Sequence, residues 1–256
     1  MRFFPPYSAY SQVYDRIGQR GFGERMAVVM LEILRARGVV PSSVLDLGCG
    51  TGSATVGFAR AGLRATGVDL SPEMLVHARQ YASAENVEIT FIEADMTDLH
   101  IDERFDLVTC VYDAFNYLAG EADAMRFIHG AYRLLNPGGY LIFDMNTRSR
   151  LMNSWDQGLV LAGDTDDLFV TYRSWYEPAV DASPLVMTAF VRDQSGCWLR
   201  FDEEHIERAW PIARVSDWLH EAGFRVHEVL GYNDATGQVQ RPADEDYGRV
   251  VFVASR

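Results

Sequence analysis

The chain is poor in everything that would staple it or hold it in a membrane. Only three cysteines, Cys49, Cys110 and Cys197, occur in 256 residues, scattered and never in a C-x-x-C pair. That argues against a disulfide framework and a structural zinc site, and reduced thiols in a cytoplasm are the expectation. No apolar stretch reaches the roughly 20 residues that span a bilayer. The first residues, MRFFPPYSAY, carry two prolines and no apolar h-region, so they do not read as a signal peptide. Internal repeats and low-complexity tracts are lacking. Positive charge is in deficit: 23 Lys and Arg against 36 Asp and Glu leave a net charge of −13. Such a surface repels phosphate backbones and anionic membranes, so neither nucleic acid nor membrane is expected as a partner. What the chain has is 48% hydrophobic residues and an ordinary 23% charged share. Its length suits one α/β domain with an insertion.

Periodicity supplies the elements. ERMAVVMLEILRARG carries a helical stripe over about 22–37, stopped by Gly38 and Pro41. SVLDLG (43–48) reads as a buried strand, SATVGFARAG as a short helix, and LRATGVDL as a second strand. Ser71, followed by Pro72 and Glu73, starts a helix to about Ala82. NVEITFIEAD (86–95) and RFDLVTCVY (104–112) are the third and fourth strands. EADAMRFIHGAYRLL (121–135) is a helix, NPGG ends it, and YLIFDMN (140–146) is the fifth strand. Strands alternating with helices imply right-handed crossovers and a mostly parallel, doubly wound sheet covered on both faces. From 151 to 210 the helical periods fade, and LFVTYRSWYEP, LVMTAFVRD and CWLRFDEEHIERAW have strand composition, so an inserted antiparallel sheet is expected there. Alternation returns after 211 with a helix (PIARVSDWLHEAG), a strand (FRVHEVLGY), a loop at 233–248 and a last strand (GRVVFVASR).

SVLDLGCGTG holds the main motif. Ligands in open α/β sheets sit beyond the carboxyl ends of the strands, and this turn closes the first of them. Gly48 and Gly50 allow a sharp turn and close approach; Gly52 allows tight packing where a helix begins. A dinucleotide fingerprint reads G-x-G-x-x-G/A, but here the glycines fall at 48, 50 and 52 and the sixth position is Ser53. Asp46, just before the turn, repels a pyrophosphate and suits an ammonium. Asp69 ends the second strand, where a carboxylate can take both ribose hydroxyls. In EADM, Asp95 can accept from an adenine amino group and the Met96 N–H can donate to the ring, with Leu70 and Met74 over the adenine face. One nucleoside with a zwitterionic tail satisfies all of these groups.

These residues resemble a known family. VLDLGCGTG, the acid of VDLS, EADM and FDLVTCVYDAFNYL are similar to the class I S-adenosylmethionine-dependent methyltransferases, from the N-terminal tyrosines to the final strand. CVYDAFNYL, FDMNT and RFDEEHIERAW resemble the branch that acts on small molecules, similar to sugar-amine and amino-acid N-methyltransferases. The resemblance implies a Rossmann-like, seven-stranded sheet with an antiparallel last strand, formed by 1–150 and 211–256, with 151–210 as a substrate-covering insert. It implies S-adenosyl-L-methionine as cofactor and S-adenosyl-L-homocysteine as product. In that family Asp46 and the turn Gly48, Cys49, Gly50 and Gly52 hold the methionine part, Asp69 the ribose, and Asp95 with Met96 the adenine. Val111, Tyr112, Asp113 and Asn116 approach the methyl-bearing sulfur, and Tyr14 matches a tyrosine that reaches the methionine carboxylate.

Methyl transfer from a sulfonium needs alignment and exclusion of water more than acid–base power, but an amine must arrive neutral. His205 is the candidate base. On a strand, Leu199, Phe201, Glu203, His205 and Glu207 share one face, passing from apolar to acidic. The alternative is a solvated face with His205 paired to a glutamate; a metal on Glu203, His205 and Glu207 lacks any fixed geometry. Asp113 and Asn116 either bond the amine or cofactor or merely stabilise a turn. Cys49 reads as small apolar filler. The aromatics of the insert either cage a cationic amine or fill a small core. The N-terminal tyrosines are either a lid or a strap packed on the sheet. The expected reaction is methylation of a small-molecule amine. O-methylation, a protein or RNA acceptor, a cofactor-binding sensor and, last, an NAD-dependent oxidoreductase are the alternatives. A monomer, or a homodimer paired through the inserted sheet, is expected.

Overall fold

The chain's most uniformly apolar runs become its central strands. In this computed structural model, which describes residues 3–156, 158–240 and 243–256, the strands are β1 (Phe3–Phe4), β2 (Ser43–Leu47), β3 (Arg64–Asp69), β4 (Ile89–Glu93), β5 (Phe105–Cys110), β6 (Leu135–Asn146), β7 (Gly158–Thr165), β8 (Leu168–Ser174), β9 (Ala182–Arg192), β10 (Trp198–Arg208), β11 (Arg225–Asn233), β12 (Gln238–Gln240) and β13 (Arg249–Ser255). Every residue of β2 is buried, as a strand covered on both faces requires.

The large sheet has the order β12-β11-β13-β6-β5-β2-β3-β4. From β4 to β6 all pairs are parallel, and β13 runs antiparallel to both β6 and β11. The chain runs outward from β2 to β3 and β4, then returns to β5 beside β2. The order therefore reverses between β2 and β5, which opens a crevice at their carboxyl ends. Helices cover both faces. Glu121–Leu134 and Ile212–Glu221 pack on one through Phe127, Phe143 and Trp218; Arg20–Arg35 and Ser53–Arg60 pack on the other through Met26, Met30 and Phe58. The helix Pro72–Ala84 starts as expected, with the Ser71 hydroxyl accepting from the Met74 N–H.

Two elements differ from the sequence reading. The expected loop at 233–248 contributes β12, which pairs with β11 through Tyr232 and Val239 and makes the sheet eight-stranded rather than seven. Arg241 and Pro242 of that loop lie outside the described residues. The fifth strand, expected at 140–146, starts at Leu135, the last residue of the expected helix, where Leu135 pairs with Phe105 of β5.

The second sheet has the order β1-β10-β9-β8-β7. β7 was not among the three expected strands of this region, and β1 joins it in parallel with β10. Its inner face has its own core: Leu168, Val170, Met187, Ala189 and Phe201 pack against Ala9, Tyr10 and Val13. The N-terminal segment is thus strapped onto the second sheet, while Tyr7 and Tyr14 also reach the crevice of the first. No helix among the described residues is long and apolar enough to cross a membrane.

Candidate active site

The β2 turn is built around buried acid. Asp46 is 1% exposed. Thr55 Oγ1 donates to its Oδ2 at 2.6 Å and Thr109 Oγ1 to its Oδ1 at 2.8 Å. Burial outweighs those hydroxyls and raises its pKa to about 6. The turn then folds back onto β3: the Cys49 N–H donates to Val68 O, and the Gly50 N–H to Asp69 Oδ2 at 2.7 Å. The Ser71 N–H donates to the other Asp69 oxygen at 2.9 Å. Burial raises the pKa of Asp69 too, against these amides. Gly48 and Gly52 take positive φ. A Cβ on Gly48 would come within 2.9 Å of Ala114 Cβ, and one on Gly52 within 3.1 Å of Ala78 Cβ. The first keeps the turn clear of the loop after β5; the second lets two helices close. Burial pushes the Cys49 thiol well up, so it is unreactive filler, as expected.

A cavity of about 670 Å³ opens beyond these strand ends. Tyr14, Asp46, Gly48, Cys49, Gly50, Asp69, Leu70, Met74, Asp95, Met96, Val111 and Tyr112 all line it. Among the described residues its charged lining is Asp46, Asp69, Glu73, Asp95 and Asp123 against Arg126. Gly52, among the expected site residues, lies behind the turn and does not line it. A second cavity of about 290 Å³ lies beside the first, between the two sheets, and Tyr7, Tyr14, Tyr112 and Tyr117 line both. Asp113, His205 and Glu207 face the smaller one, with Tyr10, Tyr172 and Trp155 of its wall.

The loop that separates the cavities is held by one buried cation. Tyr112 and Asp113 sit at φ 65° and 53°, a conformation that costs non-glycine residues free energy unless their surroundings impose it. The N–H groups of Tyr112 and Asp113 donate to Asp144 at 2.7 and 3.1 Å. Arg249, 1% exposed, donates to Asp144 and, at 2.6 Å, to Asp113 Oδ1. Its guanidinium also stacks over Phe22, 4.6 Å from the ring centroid. Neither Arg249 nor Asp144 was singled out from the sequence; the only signal was a lone charge in each of two apolar strands, RVVFVAS and LIFDMN.

Two expectations are corrected here. Asn116 lines neither cavity. Its amide donates to Asn146 O and Arg208 O, and its oxygen accepts from the Asn146 N–H. It ties the second sheet to the first, so its polar atoms are spent on backbone. The face of β10 carrying Phe201, Glu203, His205 and Glu207 is not solvated: all four are buried. Only Leu199 of the expected set is exposed. The cover is the N-terminal strap, since Glu203 accepts from the N–H groups of Tyr7, Ala9 and Tyr10 at 2.6–2.8 Å. His205 Nε2 lies 3.3 Å from Glu203 Oε2 without a hydrogen bond's alignment, and Nδ1 lies 3.4 Å from the Tyr117 hydroxyl. Of the insert's aromatics, Trp155 and Tyr172 reach the smaller cavity, while Phe169 and Trp198 point to solvent.

The chain is similar to known proteins. The methyltransferase-domain model matches residues 44–139. A putative methyltransferase of Geobacillus sp. (strain WCH70) is 31% identical over 98% of this chain and 99% of its own length. Among solved structures, an S-adenosylmethionine-dependent methyltransferase from Clostridium acetobutylicum ATCC 824 superposes with a TM-score of 0.82 at 24% identity, covering 96% of this chain and 97% of that one. CalS10, an amino pentose methyltransferase from Micromonospora echinaspora solved with S-adenosylmethionine bound, gives 0.72 at 21% identity, covering 100% and 98%.

Two predictions follow from the buried charges. Arg249→Met leaves Asp113 and Asp144 buried without their cation, and urea denaturation should show a loss of about 3–5 kcal/mol; a loss under about 1 kcal/mol would contradict the network. For Asp46, the folded pKa of about 6 exceeds the ordinary carboxyl value of 3.8. The folded chain therefore holds the proton more tightly, and this group's contribution is complete at low pH and lost as pH rises from about 4 to 6. The ligand-free protein should lose about 3 kcal/mol across that window relative to Asp46→Asn, which does not titrate. Denaturation midpoints that move in parallel for the two proteins would refute the assignment.

Proposed function

The chain belongs to the S-adenosylmethionine-dependent methyltransferases, and on that premise we propose that it methylates a small-molecule acceptor at an amine nitrogen. The observation that carries the proposal is the pair of cavities joined at four tyrosines, the charged lining of the larger being acidic but for Arg126 among the described residues.

The residues fit the cofactor. An acidic lining suits a ligand with an ammonium and a sulfonium and opposes a pyrophosphate, which also sets the dinucleotide alternative aside. Asp46 and the glycine turn hold the methionine part, with the ligand's ammonium offsetting the cost of ionised Asp46. Asp69, already aimed by two backbone amides, takes the ribose hydroxyls. Asp95 and the Met96 N–H read the adenine edge, and Tyr14 reaches the methionine carboxylate. When bound, the cofactor supplies a methyl group on a positive sulfur that leaves as a neutral thioether.

The chain's own contribution is alignment. The loop held by Arg249 brings Val111 and Tyr112 beside the reacting centre. The second sheet and the N-terminal strap close over the acceptor and exclude water. The tyrosines and Trp155 offer ring faces to a cationic group. A volume of about 290 Å³ suits a small acceptor rather than a polymer.

Transfer of tritiated methyl from S-adenosylmethionine to a panel of amino sugars, amino acids and short alkylamines, each paired with its alcohol analogue, tests the reading. Label is expected in amines and absent from the matched alcohols. Label confined to alcohols, or appearing only in added protein or RNA, would overturn the amine assignment.

A further inference from the structure

Proton removal from the acceptor needs a group that the alignment argument leaves open. The chain has no lysine; all 23 of its basic residues are arginine. The wall of the smaller cavity offers tyrosines, His205, Asp113 and Glu207. Burial pushes the Tyr7 and Tyr117 hydroxyls well above their ordinary range, so they are held as neutral donors. His205 is wedged edge-on between Tyr7, Tyr10 and Tyr117, at 4.9–6.0 Å between ring centroids. Its Nε2 turns toward Glu203, which is taken up by the N–H groups of the strap. Asp113 is committed to Arg249.

Glu207 is different. It is 1% exposed. Its Oε2 accepts from the Asn146 amide at 2.7 Å; its Oε1 is buried and meets no hydrogen-bond donor among the described residues, and the Asp113 carboxyl lies beside the group. An unpaired carboxyl oxygen at such depth costs free energy unless something polar meets it. The charged and titratable groups facing it are Asp113 and Arg249 from the loop and β13, Tyr7 from the strap, Tyr117 from the loop, and His205 from its own strand.

We propose that Glu207 receives the acceptor as an alkylammonium and takes its proton, with Oε1 as the accepting atom; this rests on the methyltransferase reading above. The balance is simple. An N–H bond of the ammonium breaks and its proton passes to Oε1. The freed nitrogen lone pair forms the N–C bond while the C–S bond breaks, its electron pair staying on sulfur. Positive charge moves from sulfur to nitrogen, and the proton on Glu207 leaves to solvent with the product. Burial and the neighbouring Asp113 push the Glu207 carboxyl well above the usual range, which makes its carboxylate a stronger proton acceptor; a proton held in the ligand-free site leaves to solvent as the cationic acceptor enters, and the carboxylate then takes the ammonium's proton. An acceptor nitrogen that is never protonated, such as an amide, gains nothing from this site. The substrate class is therefore a basic aliphatic amine.

Sinefungin is the probe, because it carries an ammonium where S-adenosylmethionine carries its sulfonium methyl. S-adenosylhomocysteine carries neither. Calorimetric Kd values for both compounds should show the wild type preferring sinefungin by tenfold or more. Glu207→Gln should cut that preference at least fivefold with the S-adenosylhomocysteine Kd within twofold. Glu207→Asp, which keeps the charge, and His205→Gln should both retain it. A preference that survives Glu207→Gln, or that falls with His205→Gln instead, overturns the proposal. So does loss in both Glu207 variants together with weakened S-adenosylhomocysteine binding, which would make Glu207 a folding residue. Wild type that binds neither compound would instead overturn the cofactor reading itself.

Discussion

Holding carboxylates away from bulk water near the carboxyl ends of the parallel strands is the constraint on which the site depends. Asp46 ends β2's apolar run, Asp69 closes β3, and Asp144 lies near the end of β6. Each would prefer water, and each is supported differently. Asp46 has two threonine hydroxyls, Asp69 has two backbone N–H groups, and Asp144 has Arg249 and two more N–H groups. Only Asp144 has a cation of its own. The other two line the larger cavity without a cation of their own; on the proposed reading the ligand's ammonium meets Asp46 and its ribose hydroxyls meet Asp69.

The same acids fix the geometry around them. Asp69 pins the glycine turn to β3. Asp144 imposes left-handed backbone on Tyr112 and Asp113, which aims the loop between the cavities. Glu203 does the equivalent work on the second sheet by gathering three N–H groups of the N-terminal strap. Strap and loop then meet at Tyr7, Tyr14, Tyr112 and Tyr117, so the junction is assembled from segments more than 90 residues apart in sequence.

The sequence carries the large sheet well because its strands are buried on one or both faces and alternate with capped helices. β7 escapes notice because it is an edge strand with Leu159 and Leu161 exposed, so no burial pattern marks it. β12 has only three residues. The face of β10 reads as solvated because its cover comes from residues 7–10, a long-range contact with no local trace. Asn116 looks like a ligand group for a similar reason: the carbonyl of Arg208 that occupies it lies 92 residues away. The glycine turn and the acids of β2 and β3 are legible because their spacing is local, whereas Arg249 and Asp144 acquire meaning only once β13 lies beside β6.

The most direct test of the account is calorimetric titration of the purified protein with S-adenosylmethionine, S-adenosylhomocysteine and NADH in parallel. An acid-lined cavity made for a nucleoside with a cationic tail predicts binding of the first two and none of NADH. Binding of NADH alone would mean that the larger cavity accepts a pyrophosphate despite Asp46 and Asp69, and would contradict the central claim.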